Sequence, residues 1–198
     1  MKQKRLLLKG IIIGFPITVF LLWITGAINL WFYDIGDIAN NEKFYSLELK
    51  PIEGEYSVLI DLRDLESNVG KTLYDDGEHR IYVSNVFISD DANYDVSFRS
   101  SGKYNLYGAT LVSGIVHERV QGGFSFGLRA NAKATYRGST FKIYTSGRSG
   151  LNYKDGDSFG FYVIPHDREV TLNIAEDPII EITISNLVMH KWSSKYGL

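Results

Sequence analysis

Arg129, Lys133 and Arg137 stand four residues apart in the stretch Arg-Ala-Asn-Ala-Lys-Ala-Thr-Tyr-Arg, where every odd-numbered position is polar and the even ones are Ala130, Ala132, Ala134 and Tyr136. In an extended strand, such residues share one face at steps of about 13 Å. A row of guanidinium and ammonium groups is suited to holding phosphate or carboxylate, arginine in bidentate fashion. Arg99, Lys103, Arg119, Lys142, Arg148 and Lys154 lie on adjoining segments, so residues 96–154 hold nine bases and one acid, Glu118, in a chain of net charge −2. The flanks are acidic: 34–95 holds fifteen acids and five bases, and 155–198 holds seven and three. Two outcomes follow. The basic segment presents a positive field to an anionic polymer or lipid headgroup, or its charge is consumed by cross-strand pairs with the acidic flanks, each exposed pair contributing about 0–1 kcal/mol.

Other polar constellations carry less. Gly123-Phe124-Ser125-Phe126-Gly127 matches G-x-S-x-G, but a nucleophile elbow needs that motif on a sharp turn between a strand and a helix. Here Phe124 and Phe126 continue a strand alternation, with both rings expected in the core. Asp91, Asn93 and Asp95 have the spacing of the first three ligands of a calcium loop, yet Val96 and Gly102 stand where an EF-hand requires Gly and Glu. With Asp90 they form only a loose oxygen cluster for an ion. His79, His117, His166 and His190 show no metal-ligand spacing, and each is expected at the surface or held by hydrogen bonds. There is no phosphate-cradling glycine loop and no cysteine for thiol chemistry. No catalytic residue and no cofactor are assigned, and nucleic acid is not an expected partner. Trp192, with Tyr94, Tyr104, Tyr107 and Tyr153 in or near turns, offers rings on which sugars stack. The ending Ile182–Trp192 resembles the closing strand of carbohydrate-binding jelly rolls.

The elements that must position these groups are strands. Tyr56, Val58, Ile60 and Leu62 alternate with polar residues, as do Val170, Leu172 and Ile174, and Ile180, Ile182 and Ile184; period two is the strand signature. Turn signals such as Asp76-Gly77, Gly122-Gly123 and Asp155-Gly156 recur every 8–15 residues, and these residues supply the positive φ of tight hairpins. About ten strands are expected, in an all-β, antiparallel β-sandwich of jelly-roll type. Only Leu62–Leu73 and Leu128–Tyr136 are candidates for a short helical turn. Tyr74-Asp-Asp-Gly and Tyr153-Lys-Asp-Gly predict two similar hairpins rather than a duplication.

Ahead of this domain, residues 10–33 form an uncharged run with Lys2, Lys4, Arg5 and Lys9 before it. As a helix it reaches about 36 Å, enough for a hydrocarbon core of about 30 Å. The basic tail places the N-terminus in the cytoplasm, and Trp31 and Tyr33 suit the outer interface. Cleavage after Ala27 is the competing outcome. Gly10 and Gly14 also fit a small-xxx-small helix contact. The organisation expected is a cytoplasmic tail 1–9, a transmembrane signal-anchor helix 10–33, a polar spacer 34–43 and an extracytoplasmic domain 44–198. About 165 residues beyond the anchor are enough for one core, and zero cysteines mean that packing alone must hold it. A cysteine-free ectodomain without an Asn-x-Ser/Thr acceptor points to a single-pass protein of the bacterial cell membrane. The function expected is non-catalytic binding of anionic wall polymer, lipid headgroups or glycan through Arg129, Lys133, Arg137, Arg99, Lys103 and Trp192. The alternatives are an accessory subunit with a protein partner and, third, a hydrolase.

Overall fold

The stretches 56–62 and 180–184 become the two longest strands. In the computed structural model, which describes residues 14–23, 33–89, 93–120, 123–163 and 170–196, these are β1 (Tyr45–Asp61) and β12 (Ile179–Ser194). They pair antiparallel along their length, from Tyr45 opposite Ser194 to Asp61 opposite Ile179. Val58, Ile60, Ile180, Ile182 and Ile184 are buried; the residues between them face the other side of the sheet. Midway, Ile52 pairs with Leu187 and Glu55 with Ser185, so Glu53 and Gly54 bulge opposite Asn186. Gly54 has φ 107° and Asn186 φ 60°, conformations that glycine and asparagine tolerate best.

The β1–β12 ribbon is the spine of one curled sheet. The other edge of β12 takes β9 (Asn131–Tyr136) along its first half and β6 (Gly108–Ser113) along its second. β5 (Lys103–Asn105) lies beyond β6, and β10 (Ser139–Arg148) beyond β9. β10 joins two layers: Ser139–Ile143 pair with β9, whereas Tyr144–Arg148 pair with β11 (Ser158–Val163). From β11 the second layer continues through β4 (Tyr94–Ser101), β3 (Arg80–Ile88) and β2 (Thr72–Asp75). A separate hairpin joins β7 (Ile115–Val120) to β8 (Gly123–Leu128). The pairings are antiparallel throughout. The fold is therefore all-β, sandwich-like in its curled sheets, with twelve strands among the described residues.

One core lies between the layers. Val58, Ile60, Ile143 and Ile182 meet Val83, Val96, Phe98 and Phe161 in a single buried cluster. Fully burying a side chain of this size contributes about 1.5–3 kcal/mol. Ala130, Ala132 and Ala134 are buried too, and their small side chains leave room for the stacked Phe98–Phe159 pair and its neighbours.

Several segments differ from expectation. Residues 34–43 are not simply a polar spacer: they contain helix α1 (Ile35–Asn40), closed at its start by a capping box between Asp34 and Asp37. Ile35, Ile38 and Ala39 are buried with Ala109, Leu111 and Trp192 in a second cluster. Six residues are too few to hold a helix in water, so packing onto β6 and β12 fixes this one. The 62–73 turn is a 3-10 turn at Glu66–Asn68, whereas 128–136 holds β9. Val170, Leu172 and Ile174 pack against the core but form no strand. The Tyr136 hydroxyl serves that backbone instead, donating to the carbonyls of Asn173 and Asp177 and accepting from the Asn173 amide. Of the two similar hairpins, Tyr74-Asp-Asp-Gly joins β2 to β3, while Tyr153 and Gly156 close a tight turn. Residues 14–23 are helical with every side chain exposed, and no helix among the described residues is long and apolar enough to cross a membrane. Apart from Tyr33, the rest of the expected span 10–33 lies outside the described residues.

Candidate functional site

The basic segment does not stay together as one row. Lys133 sits at the centre of β9 between buried alanines, as the alternation demands. Arg129 precedes the strand, its amide donating to the Gly114 carbonyl. Arg137 lies in the β9–β10 turn with φ 49°, followed by Gly138 at 81°. The acidic flanks take much of the charge. Arg99 pairs with Asp155 at 2.5 Å and lies over the Tyr153 ring; Lys103 pairs with Glu78, Arg119 with Glu42, Lys133 with Glu55, and Arg137 with Glu176. These pairs are at least partly exposed and each contributes about 0–1 kcal/mol, so they set register more than stability.

Where β1, β12, β9 and β10 lie side by side, their outward residues form a regular grid. Ser57, Thr183, Lys133 and Lys142 make one row, in register across four strands. Glu55, Ser185 and Asn131 make the row on one side of it, and Leu59, Glu181, Thr135 and Thr140 the row on the other. Hydroxyls tie the grid laterally, Ser57 to Thr183 at 2.7 Å and Thr135 to Thr140 at 2.9 Å. A groove of about 240 Å³ runs between Glu55, Asn131, Lys133, Lys142, Thr183 and Ser185.

Two lysines directly opposite each other repel. Glu55 answers one of them: the Lys133 ammonium donates to both its oxygens, at 2.7 and 3.0 Å. The bulge at Glu53–Gly54 sits immediately before Glu55, and bulges characteristically re-aim a side chain. Lys142 has no carboxylate partner among the described residues; its ammonium lies 5.5 Å from the centre of the Tyr144 ring. Tyr144 is 47% exposed at the same edge. The groove thus offers two ammonium groups against one carboxylate, the hydroxyl and amide groups of Thr183, Ser185 and Asn131 from β12 and β9, and a half-exposed aromatic ring at its edge.

A second polar cluster is buried instead. His117, Asp157, Ser113 and His190 are all 0% exposed. One oxygen of Asp157 accepts from Ser113 Oγ at 2.7 Å and lies 2.5 Å from His117 Nε2. The His117 amide donates to His190 Nε2 at 3.0 Å, and His190 stacks on Trp192. Burial, reinforced by His117 nearby, pushes the His190 imidazole down to about 3. Ser, His and Asp meet here, but the serine hydroxyl faces the carboxylate rather than the imidazole, so nothing activates it as a nucleophile. The cluster ties together β6, β7, β12 and the segment before β11, and it is a brace.

The remaining candidates are dispersed. Ser125 lies within β8, opposite Glu118 of β7, not on a strand-to-helix turn. Phe126 is 39% exposed rather than in the core, its ring 6.4 Å from that of the buried His117 opposite it. Trp192 is 3% exposed, covered by α1, and its ring is not open to a sugar. Asp91 and His166 lie outside the described residues. Asp95 is buried on β4, its carboxyl pushed up by burial and held by Ser146 and Ser97, while the Asn93 carbonyl accepts from the Ser89 amide; among the described residues no cluster could hold a metal ion. His79 is buried between Asp76 and Thr110, linking the β2–β3 turn to β6. Sequence reasoning named Lys133 and Lys142 but missed Tyr144 and Glu55; their signal was register across four strands, which only the pairing reveals. Compared with known proteins, the chain matches no family model, no curated protein and no solved structure.

Proposed function

We propose that this chain is a membrane-anchored, extracytoplasmic binding protein of the bacterial cell envelope. Its jelly-roll-like β-sandwich holds a polyhydroxylated polyanion, such as a phosphate- or uronate-bearing wall polymer, without catalysis. The observation that carries the reading is the Lys133–Lys142 pair, adjacent across β9 and β10, with Glu55 bound to Lys133 and the Lys142 ammonium over the half-exposed Tyr144 ring. The ammonium groups take the charge, the hydroxyl and amide groups take sugar or polyol oxygens, and the ring offers a stacking face. The basic tail and uncharged run of residues 2–33 support the anchored, outward-facing placement.

The test uses the full chain in detergent with poly(glycerol phosphate) and polygalacturonate as probes. Binding weakens as salt rises, is lost in Lys133→Glu/Lys142→Glu, and falls several-fold in Tyr144→Ala. Absence of binding, or binding that survives the double charge reversal, ends the proposal.

A second reading as an accessory subunit rests on the β7–β8 hairpin. Val120 is 50% exposed near its tip, and unpaired strand edges recruit other chains. A photo-crosslinker at Val120 that captures one protein on intact cells favours this reading; one that captures none removes it.

A further inference from the structure

Four exposed aromatic residues gather at one end of the β1–β12 ribbon. Phe44 precedes β1, and its ring meets that of Tyr196 edge-on at 5.7 Å. Tyr107 sits in the β5–β6 turn, where its carbonyl accepts from the Ser194 amide. Tyr33 lines a cavity of about 400 Å³ with Ile38, Phe44, Tyr45 and Leu106. Tyr33 and Phe44 are each 45% exposed, Tyr107 57% and Tyr196 62%. Tyr45 beside them is half-buried and donates to the Leu106 carbonyl, while these four side chains stay exposed.

We propose that this end of the domain rests on the lipid headgroups of the bilayer. The inference rests on the anchored reading of residues 10–33. The uncharged run ends at Tyr33, which is itself part of the aromatic group, so the chain delivers this face to the membrane surface. Tyrosine rings favour that zone because one end is apolar and the other wet.

The rim decides which lipid is needed. Asp34 and Asp37 are engaged in the capping box of α1, and Glu42 pairs with Arg119 at 2.8 Å. Lys43 lies over the Phe44 ring and Lys195 donates to the Glu42 carbonyl. Three acids and three bases balance, so the face docks through its rings and accepts a zwitterionic surface.

Docking has a consequence for the groove. From Tyr45 to Glu55 is ten residues of β1, about 34 Å of strand. The ribbon starts at the docked end, so it lifts Lys133 and Lys142 several Debye lengths of about 8 Å from the headgroups. Their ligand is then a polymer of the wall, not a lipid.

The chain has no cysteine, so single Tyr107→Cys and Tyr196→Cys variants take a nitroxide cleanly. Thr140→Cys, at the opposite end of the sheet, is the reference. The full chain is reconstituted into phosphatidylcholine vesicles, washed with carbonate, and its label collisions with oxygen and with a nickel chelate are compared. Labels at 107 and 196 should favour oxygen several-fold more than the label at 140. If the protein sediments with the washed vesicles but all three labels behave as aqueous, docking is overturned and the anchor stands. If the protein does not sediment, both readings fall. A requirement for anionic phosphatidylglycerol overturns docking through the rings.

Discussion

His117 Nε2 lies 2.5 Å from Asp157 Oδ2 with both side chains fully buried. The same carboxylate oxygen accepts from Ser113, whose Oγ in turn accepts from the Ile115 amide. Removing one partner of a buried pair leaves the others unpaired and costs about 3–5 kcal/mol. Asp157→Ala is therefore expected to lower stability by that order in urea unfolding, with the m-value unchanged. A cost below about 1 kcal/mol, the size of an exposed pair, would show that the cluster is not a brace.

His190 sets the pH response. Its Nε2 accepts from the His117 amide, which only the neutral ring can do, and burial holds it down at about 3 against an ordinary 6.5. The unfolded chain therefore binds a proton below pH 6.5 that the folded one refuses. This contribution is fully present above pH 6.5 and is lost as pH falls toward 3, by about 1.4 kcal/mol per unit. Asp76 acts lower: burial opposes its ionisation, but hydrogen bonds from the His79 side chain and backbone hold its carboxyl below the usual range. Its contribution is lost only below about pH 4. Between pH 7.5 and 5 the wild-type chain should lose about 2 kcal/mol more than His190→Gln. Equal losses in urea melts at the two pH values would remove His190 from the account.

The strands were legible where one face is buried and the other wet, as at Val58–Ile60 and Ile180–Ile184. His190 was legible in principle, because it alternates with the buried Val188 and Trp192. Period two failed at Val170–Ile174 because inward packing and a side-chain hydroxyl replaced the ladder. The polar look of 34–43 concealed Ile35 and Ile38, two apolar residues three apart on one short helix face. The groove was half legible. Lys133 stands out in its own segment, but Glu55 is 78 residues away in sequence, and only strand register brings it across.

Glu55→Gln tests the groove in the opposite direction from a charge reversal. The Glu55–Lys133 pair is 57% and 42% exposed, so its loss should change stability by less than about 1 kcal/mol. It frees the Lys133 ammonium for a ligand. Affinity for poly(glycerol phosphate) should rise several-fold at low salt, and the gain should shrink as salt is added. Unchanged or weaker binding in a salt titration would mean that Glu55 contacts the ligand or that the groove takes no anion.

Gly54 holds the bulge that presents Glu55. At φ 107° any Cβ is strained, and replacing such a glycine destabilises by roughly 1 kcal/mol or more. Gly54→Ala should show this cost in urea unfolding and also remove the benefit of Glu55→Gln, because the groove edge is no longer held. Additive effects of the two substitutions on polymer affinity would separate the bulge from the site.

Arg137 separates the groove from the simple row of cations that the sequence suggests. It occupies the first position of a two-residue turn joining Tyr136 to Ser139, with φ 49°, and Gly138 follows at 81°. Two positive φ values make a type I′ hairpin, which prefers Asn-Gly, and a left-handed residue other than Gly or Asn costs about 1–2 kcal/mol. Its ion pair with Glu176 is exposed at both ends and offsets about 0–1 kcal/mol of that. Arg137→Asn should therefore leave urea stability unchanged or raise it by about 1 kcal/mol. Because the Arg137 guanidinium is turned to Glu176 and Asp177 rather than to Lys133, polymer affinity should stay the same. A several-fold loss of affinity in this variant would restore the extended row Arg129–Lys133–Arg137 as the binding face and displace the Lys133–Lys142 groove.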